Sequence, residues 1–344
     1  MSKKIVVLCP GWAKTGGPEA LHQLVNKIDA NICYYGERND IVIGYYKNHY
    51  NVREAKISDI KDNILVFPEV VDPKYAVSLG ASGNWVWWLS ANRNYPARDY
   101  AGIGNLCQSE YAASIVRLLN GKFLYLTDYI SNFHAEESSR GQKKKDIIVY
   151  GPKSAFFAFL LKATDSRLPL EPIIGKGKDQ TIKMLSSSKM YIDFGWHQGR
   201  DRMPREAALY NCLVIMDRLG AADNDVDYPL KDEYKLDIED IKGAAVSLKK
   251  YLKEYDERIT DFSAYKDWIK KQEAQFTGEA EEFTEKAEEP SSYSNGILNE
   301  DIDRYVLLKQ RESFYHRRVN ELMSNKVMRG GSLALRLLLN RLKR

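Results

Sequence analysis

The sequence predicts an α/β protein made of two Rossmann-like domains with parallel sheets. Three observations lead to this prediction. The chain has 344 residues, which is enough for two domains with substantial cores. Short apolar runs alternate with helical patterns from the N-terminus to about residue 250, an order typical of parallel sheets. A polar stretch at 134–146 divides these runs into two groups, as a linker between domains would.

Ten apolar runs are predicted strands, because strands buried on both faces of a parallel sheet read as continuous hydrophobic segments. They are Ile5–Leu8, Ile32–Tyr35, Ile64–Phe67, Trp85–Leu89, Asn105–Gln108, Phe123–Leu126, Ile147–Tyr150, Pro172–Gly175, Met190–Phe194 and Leu213–Met216. The helical stretches between them include Pro18–Ile28, Tyr111–Leu119, Asp179–Ser186 and Arg205–Tyr210. We therefore expect one domain at 1–140, a second at 146–256, and a C-terminal helical extension at 257–344.

Composition narrows the classes of protein that fit. Hydrophobic residues make up 44% and charged residues 28%, which is the balance of a globular chain. The net charge of +4 is too small to predict a nucleic-acid partner. No apolar run approaches the ~20 residues that a membrane-spanning helix needs. The four cysteines are scattered and form no CxxC pair, so we expect buried thiols in a cytoplasmic protein rather than a zinc or redox site.

The C-terminal tail has a charge pattern of its own. Residues 309–344 include ten basic and two acidic side chains. Leu335, Leu338, Leu339 and Leu342 fall on one face if the tail is helical. A basic amphipathic helix predicts binding to an anionic membrane surface, here at the inner face of the membrane. Packing across the domains or onto a second subunit is the alternative, because amphipathicity does not distinguish a lipid surface from a protein one.

A glycine-rich loop follows the first predicted strand, at 10–19 (PGWAKTGGPE). Gly16 and Gly17 precede Pro18, which is well placed to open a helix. Such a loop lets backbone amides approach an anion at the helix N-terminus. The spacing matches neither GxGxxG nor GxxxxGK[ST]. The loop therefore predicts either an anion site or a turn that only permits tight strand–helix packing.

The segment 191–208 (YIDFGWHQGRDRMPREAA) is a more specific signal. A buried strand ends at Asp193, a polar loop carries His197, Arg200 and Arg202, and Glu206 lies one turn into the next helix. Ligands of α/β folds bind outside the carboxyl ends of parallel strands. Arginines beside a helix N-terminus can hold a diphosphate, and a carboxylate there can accept hydrogen bonds from ribose hydroxyls. A solvated network of surface charges is the alternative.

This segment resembles the donor-binding motif of GT-B glycosyltransferases, especially the group-one family of retaining enzymes. That family has a Glu-x7-Glu pair on this loop and helix. Glu206 matches the second Glu, which holds the donor ribose in the family, whereas Gln198 stands where the first Glu would be. The resemblance further implies that Lys153 contacts the donor diphosphate and that Gly16 and Gly17 face it across the cleft. Because Gln198 departs from the motif, a retaining or inverting outcome stays open.

The resemblance implies transfer of a sugar from a nucleotide-sugar donor to a glycan or lipid-linked acceptor, as in surface polysaccharide biosynthesis. On the acceptor side, Glu69 follows a predicted strand directly, and Trp88 and Asn92 come at the end of the next. Aromatic rings stack on sugars and amides bond their hydroxyls, although a tryptophan near a strand also fits a core position. We predict Glu69 and His197 as the catalytic candidates.

No cofactor and no metal are expected. The acidic run 223–227 (DNDVD) could ligate a divalent cation, as an Asp-x-Asp does in the GT-A fold. It comes after the second predicted sheet, however, which favours a polar loop beside the cleft. Two other functions stay open: a noncatalytic GT-B-like module that binds a nucleotide or glycan, which Gln198 favours, and a Rossmann-type NAD-dependent enzyme, which the missing GxGxxG disfavours.

Overall fold

The computed structural model describes residues 3–91, 95–131 and 143–294. Asn92, most of the predicted linker and the leucine stripe of the C-terminal tail lie outside these residues. The predictions made for them therefore stay predictions. No helix in the described ranges is long and apolar enough to cross a bilayer.

The first sheet has seven parallel strands in the order β3-β2-β1-β4-β5-β6-β7. The strands are β1 (Ile5–Pro10), β2 (Ala30–Tyr35), β3 (Arg53–Glu54), β4 (Ile64–Pro68), β5 (Gly83–Trp88), β6 (Gly104–Cys107) and β7 (Leu124–Tyr125). The connecting helices are α1 (Gly16–Lys27), α2 (Asp40–His49), α3 (Pro73–Ser78) and α4 (Glu110–Leu118). The strand order reverses beside β1, so the chain leaves a crevice at the carboxyl ends of β1 and β4, where α/β folds bind ligands.

The second sheet has four parallel strands in the order β11-β10-β8-β9. They are β8 (Lys145–Tyr150), β9 (Leu170–Pro172), β10 (Ser188–Asp193) and β11 (Leu213–Met216). Their helices are α5 (Ala155–Thr164), α6 (Lys178–Ser187) and α7 (Arg202–Leu209). The predicted class of two Rossmann-like domains followed by C-terminal helices is confirmed.

Three further helices end the described chain: α8 (Ile241–Lys253), α9 (Tyr255–Arg258) and α10 (Ser263–Lys286). The last of them returns to the first sheet. Phe276 and Phe283 belong to the same buried core as Trp85 and Trp87, and Trp85 donates from Nε1 to the carbonyl of Ala287 at 2.9 Å. Burial of two phenylalanine side chains contributes about 3–6 kcal/mol, so α10 is part of the packing of the first domain.

The predicted strands agree with the structure except at two places. The short strand β3 was not predicted, because its two residues, Arg53 and Glu54, are polar and exposed. Strand β9 ends at Pro172, whereas the prediction placed a strand over Pro172–Gly175. The chain turns there instead, and Gly175 adopts a positive φ of 73°, a conformation that glycine tolerates best.

Candidate active site between the two sheets

Two adjoining cavities form a continuous cleft between the sheets. Their volumes are about 460 and 570 Å³, and Gly16, Lys176, Thr181 and Arg202 line both of them. The larger cavity is lined by segments that follow the carboxyl ends of strands in both sheets. Opposing loops at these ends are the place where an α/β fold binds a ligand, so the cleft is the candidate site.

The two glycines at the start of α1 differ in whether a residue with a side chain could replace them. A Cβ at Gly16 would lie 2.5 Å from Cδ of Arg202, which is too close for any side chain. A Cβ at Gly17 would meet only Leu89 Cδ1, at an ordinary 3.8 Å. Gly16 is therefore required for Arg202 to cross the cleft, while Gly17 only lines the larger cavity.

Arg202 extends from α7 into a ring of carboxylates. Its guanidinium lies 3.0 Å from Asp128 Oδ2, 3.2 Å from Glu19 Oε1 and 3.8 Å from Glu206 Oε1. The side chain is 12% exposed. Burial alone would lower the pKa of Arg202, but Glu19 and Asp128 outweigh it and raise that pKa. Arg202 lines both cavities, yet its charge is already balanced inside the protein.

Arg200 connects the two domains. Its Nε donates to Asp227 Oδ1 at 2.9 Å, and its guanidinium carbon lies 5.3 Å from the centre of the Trp268 ring. Asp227 also accepts from the backbone amides of Glu110 and Tyr111, each at 2.8 Å, in the first turn of α4. The acidic run 223–227 thus supplies a buried cap for a helix of the first domain, and Arg200 contributes its cation to that contact.

Lys153, His197 and Asp201 form a cluster with Asp193 beside the larger cavity, in which His197 and Asp193 are buried and the other two side chains are partly exposed. His197 is fully buried, and both ring nitrogens are bonded: Nδ1 lies 2.8 Å from Asp201 Oδ2, and Nε2 lies 3.1 Å from the carbonyl oxygen of Asp193. The Lys153 ammonium bonds Asp201 and lies 3.6 Å from Asp193 Oδ1. Burial opposes the charge on Lys153, but Asp193 and Asp201 outweigh it and raise the pKa of the ammonium.

This cluster has the composition of a metal site, since ligand atoms of Asp193, His197 and Asp201 lie within 4.8 Å of one another. The Lys153 ammonium already bonds Asp201 and His197 there, so a cation is part of the arrangement. Beside it, burial raises the pKa of Asp217 to about 6. The geometry therefore fits a fixed network that orients Lys153 better than it fits an open metal site.

Glu206 and Gln198 occupy different parts of the cleft. Glu206 lies in α7, lines the smaller cavity and keeps 27% of its side chain exposed. Gln198 contacts the loop after β5: its Oε1 accepts from Ser90 Oγ at 2.6 Å, and its carbonyl accepts from the Ala91 amide at 2.7 Å. Glu206 is therefore open to a ligand, whereas Gln198 bridges the domains.

The acceptor-side candidates lie deeper than the sequence predicted. Trp88 is 3% exposed, donates from Nε1 to Asn105 Oδ1 at 2.9 Å and packs on Tyr100. The structure corrects its predicted position, because a ring held in the core offers no face to a sugar. Glu69 is 4% exposed and accepts from the Leu89 amide at 3.2 Å. Burial raises the pKa of Glu69 to about 8.

Sequence reasoning missed Asp128, which joins the two domains from the end of β7. Its carboxylate accepts from Arg205 at 2.7 and 2.9 Å and from Gln108 at 2.6 Å, in addition to Arg202. Arg205 is fully buried and also donates to Gln272 of α10 at 2.9 Å. Asp128 follows a predicted strand, so the rule that selected Glu69 would also have selected it.

Three lysines of the smaller cavity were missed as well: Lys14, Lys176 and Lys178. Among the described residues, none of them makes an ion pair with a carboxylate. Lys14 Nζ lies 3.4 Å from the centre of the Tyr45 ring, and Lys178 Nζ lies 2.9 Å from the hydroxyl of the same tyrosine. We call these the free lysines, and we call Lys153, Arg200 and Arg202 the paired cations. The signal for two of the free lysines is the Gly-Lys-Gly-Lys run at 175–178, which begins at the last residue of a predicted strand.

Comparison with known proteins identifies a solved structure with a similar fold. No protein-family profile and no curated protein matches the sequence. A glycosyltransferase from Rickettsia africae ESF-5 superposes with a TM-score of 0.51 over 90% of this chain and 98% of that chain, at 12% identity. AviGT4, a glycosyltransferase involved in avilamycin A biosynthesis, gives 0.38 over 75% and 98% of the two chains, also at 12% identity. The chain therefore shares the two-sheet fold of a solved glycosyltransferase.

Proposed function

We propose that this protein is a glycosyltransferase that takes its sugar from a nucleotide-sugar bound in the cleft. The observation that supports this most is the position of Glu206. It is a partly exposed carboxylate in a helix that follows a buried strand, it lies beside Arg202, and it faces a cavity large enough for a nucleotide. The shared fold with a glycosyltransferase adds to the proposal, since clefts of this architecture bind substrates between the two sheets.

In this proposal Glu206 accepts hydrogen bonds from the ribose hydroxyls of the donor. Arg202, 3.8 Å away, places a positive charge beside this carboxylate. The larger cavity, beside Lys153, Gly16 and Gly17, takes the sugar end of the donor. Because both nitrogens of His197 are bonded within the protein, it acts as a positioning residue that fixes Asp201 and Lys153.

The acceptor enters from the first sheet, next to the loop after β5. Glu69 lies there, and with a pKa raised to about 8 by burial it holds its proton at neutral pH. A carboxylic acid of this kind can exchange a proton near pH 8, which suits an acid or base in the transfer. Because the C-terminal tail is basic, we propose a glycan or lipid-linked acceptor of the kind used in surface polysaccharide synthesis.

A nucleotide-binding protein without transferase activity is the second candidate. The observation that favours it is Gln198, an amide at the position of a motif carboxylate and bonded to Ser90. Such a protein would bind the same donor in the same cleft but release no sugar.

Turnover of a panel of nucleotide-sugars separates the two candidates. Released nucleoside diphosphate is measured for the wild type, for Glu206→Gln and for Glu257→Gln, which removes the charge of an exposed glutamate in α9. We expect one donor to be hydrolysed or transferred, with kcat/KM lower by about tenfold or more in Glu206→Gln and unchanged in Glu257→Gln. Donor binding without any release would favour the second candidate, and equal turnover in both variants would exclude Glu206 from the site.

A further inference from the structure

We infer that the free lysines form the phosphate-binding part of the cleft, so that the diphosphate of the donor lies between Lys14 on one side and Lys176 and Lys178 on the other. This inference rests on the proposed function, because it names the residues of the same site that meet the donor's charge. It differs from what the sequence predicts, which is a diphosphate on Lys153, Arg200 and Arg202.

The charges of the smaller cavity do not cancel. Its lining includes two acidic side chains, Glu19 and Glu206, and both of them face Arg202. The free lysines therefore add positive charge that no described carboxylate balances. A cavity with low-dielectric walls and unbalanced positive charge attracts a polyanion.

Two of these ammonium groups come from different domains and meet at one tyrosine. Lys14 belongs to the glycine-rich loop after β1, and Lys178 begins α6 in the second domain. Both lie on Tyr45, with Nζ 3.4 and 5.6 Å from its ring centre. Like charges that approach each other across a cleft repel, and a dianionic group between them would turn this repulsion into attraction from both sides.

The chain around Lys176 suits the same ligand. Lys176 lines both cavities, and it lies between Gly175 and Gly177, which carry no side chain that could block an anion. Gly177 also offers no side-chain cap to α6, so the first amides of the helix add to the electrostatic attraction.

The paired cations contrast with this arrangement. To bind a phosphate, Arg202 would have to share donors that already hold Asp128 and Glu19. Arg200 is buried and its charge is paired with the buried Asp227 through Nε, although its Nη1 has no hydrogen-bond partner among the described residues. An incoming diphosphate would also approach the carboxylates of these pairs, and that repulsion cancels much of the attraction. None of the free lysines is itself paired with a carboxylate among the described residues, and the two carboxylates of their cavity face Arg202.

Calorimetric titration with inorganic pyrophosphate tests the inference without requiring knowledge of the base or the sugar. The double variant Lys176→Ala/Lys178→Ala is compared with Lys183→Ala, which removes an exposed lysine of the same helix. We expect pyrophosphate affinity to fall by about tenfold for each lysine removed from the cavity and to stay unchanged in the control. Because Lys176 is exposed and Lys178 loses only one hydrogen bond to Tyr45, thermal unfolding should be nearly the same in all three proteins. Equal pyrophosphate affinity in the double variant and the control would overturn the inference.

Competition identifies the source of the phosphate. A nucleoside diphosphate bound by the wild type should displace pyrophosphate, whereas simultaneous binding of both would show that the free lysines serve a phosphate of another substrate and would overturn the assignment to the donor. Failure of the inference is distinguishable from failure of the proposed function. Sugar transfer that is unimpaired in the double variant would leave the function standing and refute the lysines. Pyrophosphate binding that is lost in the double variant would support the lysines even if no sugar were transferred.

Discussion

The paired cations and the free lysines are two groups of positive charge in the same cleft, and the structure uses them differently. Lys153, Arg200 and Arg202 each lie beside a buried carboxylate, and Arg202 and Arg205 hold the second sheet against the first through Asp128. Lys14, Lys176 and Lys178 line a cavity and contact no carboxylate among the described residues. A basic residue at a strand end therefore indicates a binding site only when its charge is not already balanced within the fold.

This contrast predicts that the two groups affect different properties. Removing a partner from a buried ion pair leaves an uncompensated charge and destabilises the fold. Removing a free lysine leaves no carboxylate unpaired among the described residues and affects mainly the ligand. Stability and ligand affinity should therefore change separately in variants of the two groups.

The largest expected effect is on stability, at the contact between Arg205 and Asp128. Arg205→Ala would leave Asp128 with one arginine fewer in a buried site, and we expect the free energy of unfolding to fall by about 3–5 kcal/mol. Arg53→Ala is the matched control, because Arg53 pairs with Asp29 at the surface, where an ion pair contributes about 0–1 kcal/mol. Urea denaturation of both variants gives the comparison. Similar losses in the two proteins would show that the interdomain pair contributes no more than a surface pair.

A second prediction concerns Glu69, a buried acid with no cation among its pKa determinants. Its pKa is raised to about 8 in the folded protein, while the unfolded chain ionises near pH 4.5. Between these values the folded state keeps a proton that the unfolded state has lost, so this group's contribution to stability falls as pH rises and levels off above pH 8. The loss should be about 1 kcal/mol per pH unit.

Glu69→Gln removes this titration and keeps the size of the side chain. The difference in unfolding free energy between wild type and variant should favour the wild type most at pH 5 and shrink steadily toward pH 8. Other titrating groups, such as Asp217, are present in both proteins and cancel in the difference. A difference that does not change with pH would mean that Glu69 ionises normally.

The third prediction uses the two neighbouring glycines to test whether the position of Arg202 matters. Gly16→Ala places a methyl group against Cδ of Arg202 and should displace its guanidinium from Asp128 and Glu19, which lowers the free energy of unfolding by about 1–3 kcal/mol. Gly17→Ala meets only an ordinary contact with Leu89 and should leave the free energy of unfolding unchanged. Urea denaturation measures both variants. If the two alanines behave alike, the arginine's path across the cleft is unimportant for stability.

The fold was largely predictable from the sequence, because parallel strands buried on both faces leave continuous apolar runs. The return of α10 to the first sheet was not predictable: Phe276 and Phe283 follow a helical period, which identifies a buried face but not the surface that covers it. For the same reason Trp88 could not be assigned from its strand, since alternation does not separate a core ring from one that lines a cleft.

The sequence pointed to residues that line the cleft but not to how their charges are paired. The segment 191–208 crosses the carboxyl end of the second sheet, and Glu206 and Arg202 both line the cleft. Whether a charge is balanced depends on side chains that are distant in sequence, such as Asp128 for Arg202, 74 residues away. Such pairings arise only from the folded chain, so the sequence could not separate the paired cations from the free lysines.

The most direct test of the account is the affinity of the wild-type protein for nucleoside diphosphates compared with the corresponding nucleosides, measured by calorimetry at low and high salt. If the free lysines meet a diphosphate in the cleft, at least one nucleoside diphosphate should bind about 100-fold more tightly than its nucleoside. That advantage should shrink as salt screens the lysines. Equal affinity for a nucleoside and its diphosphate, or no binding of any nucleoside diphosphate, would contradict the account.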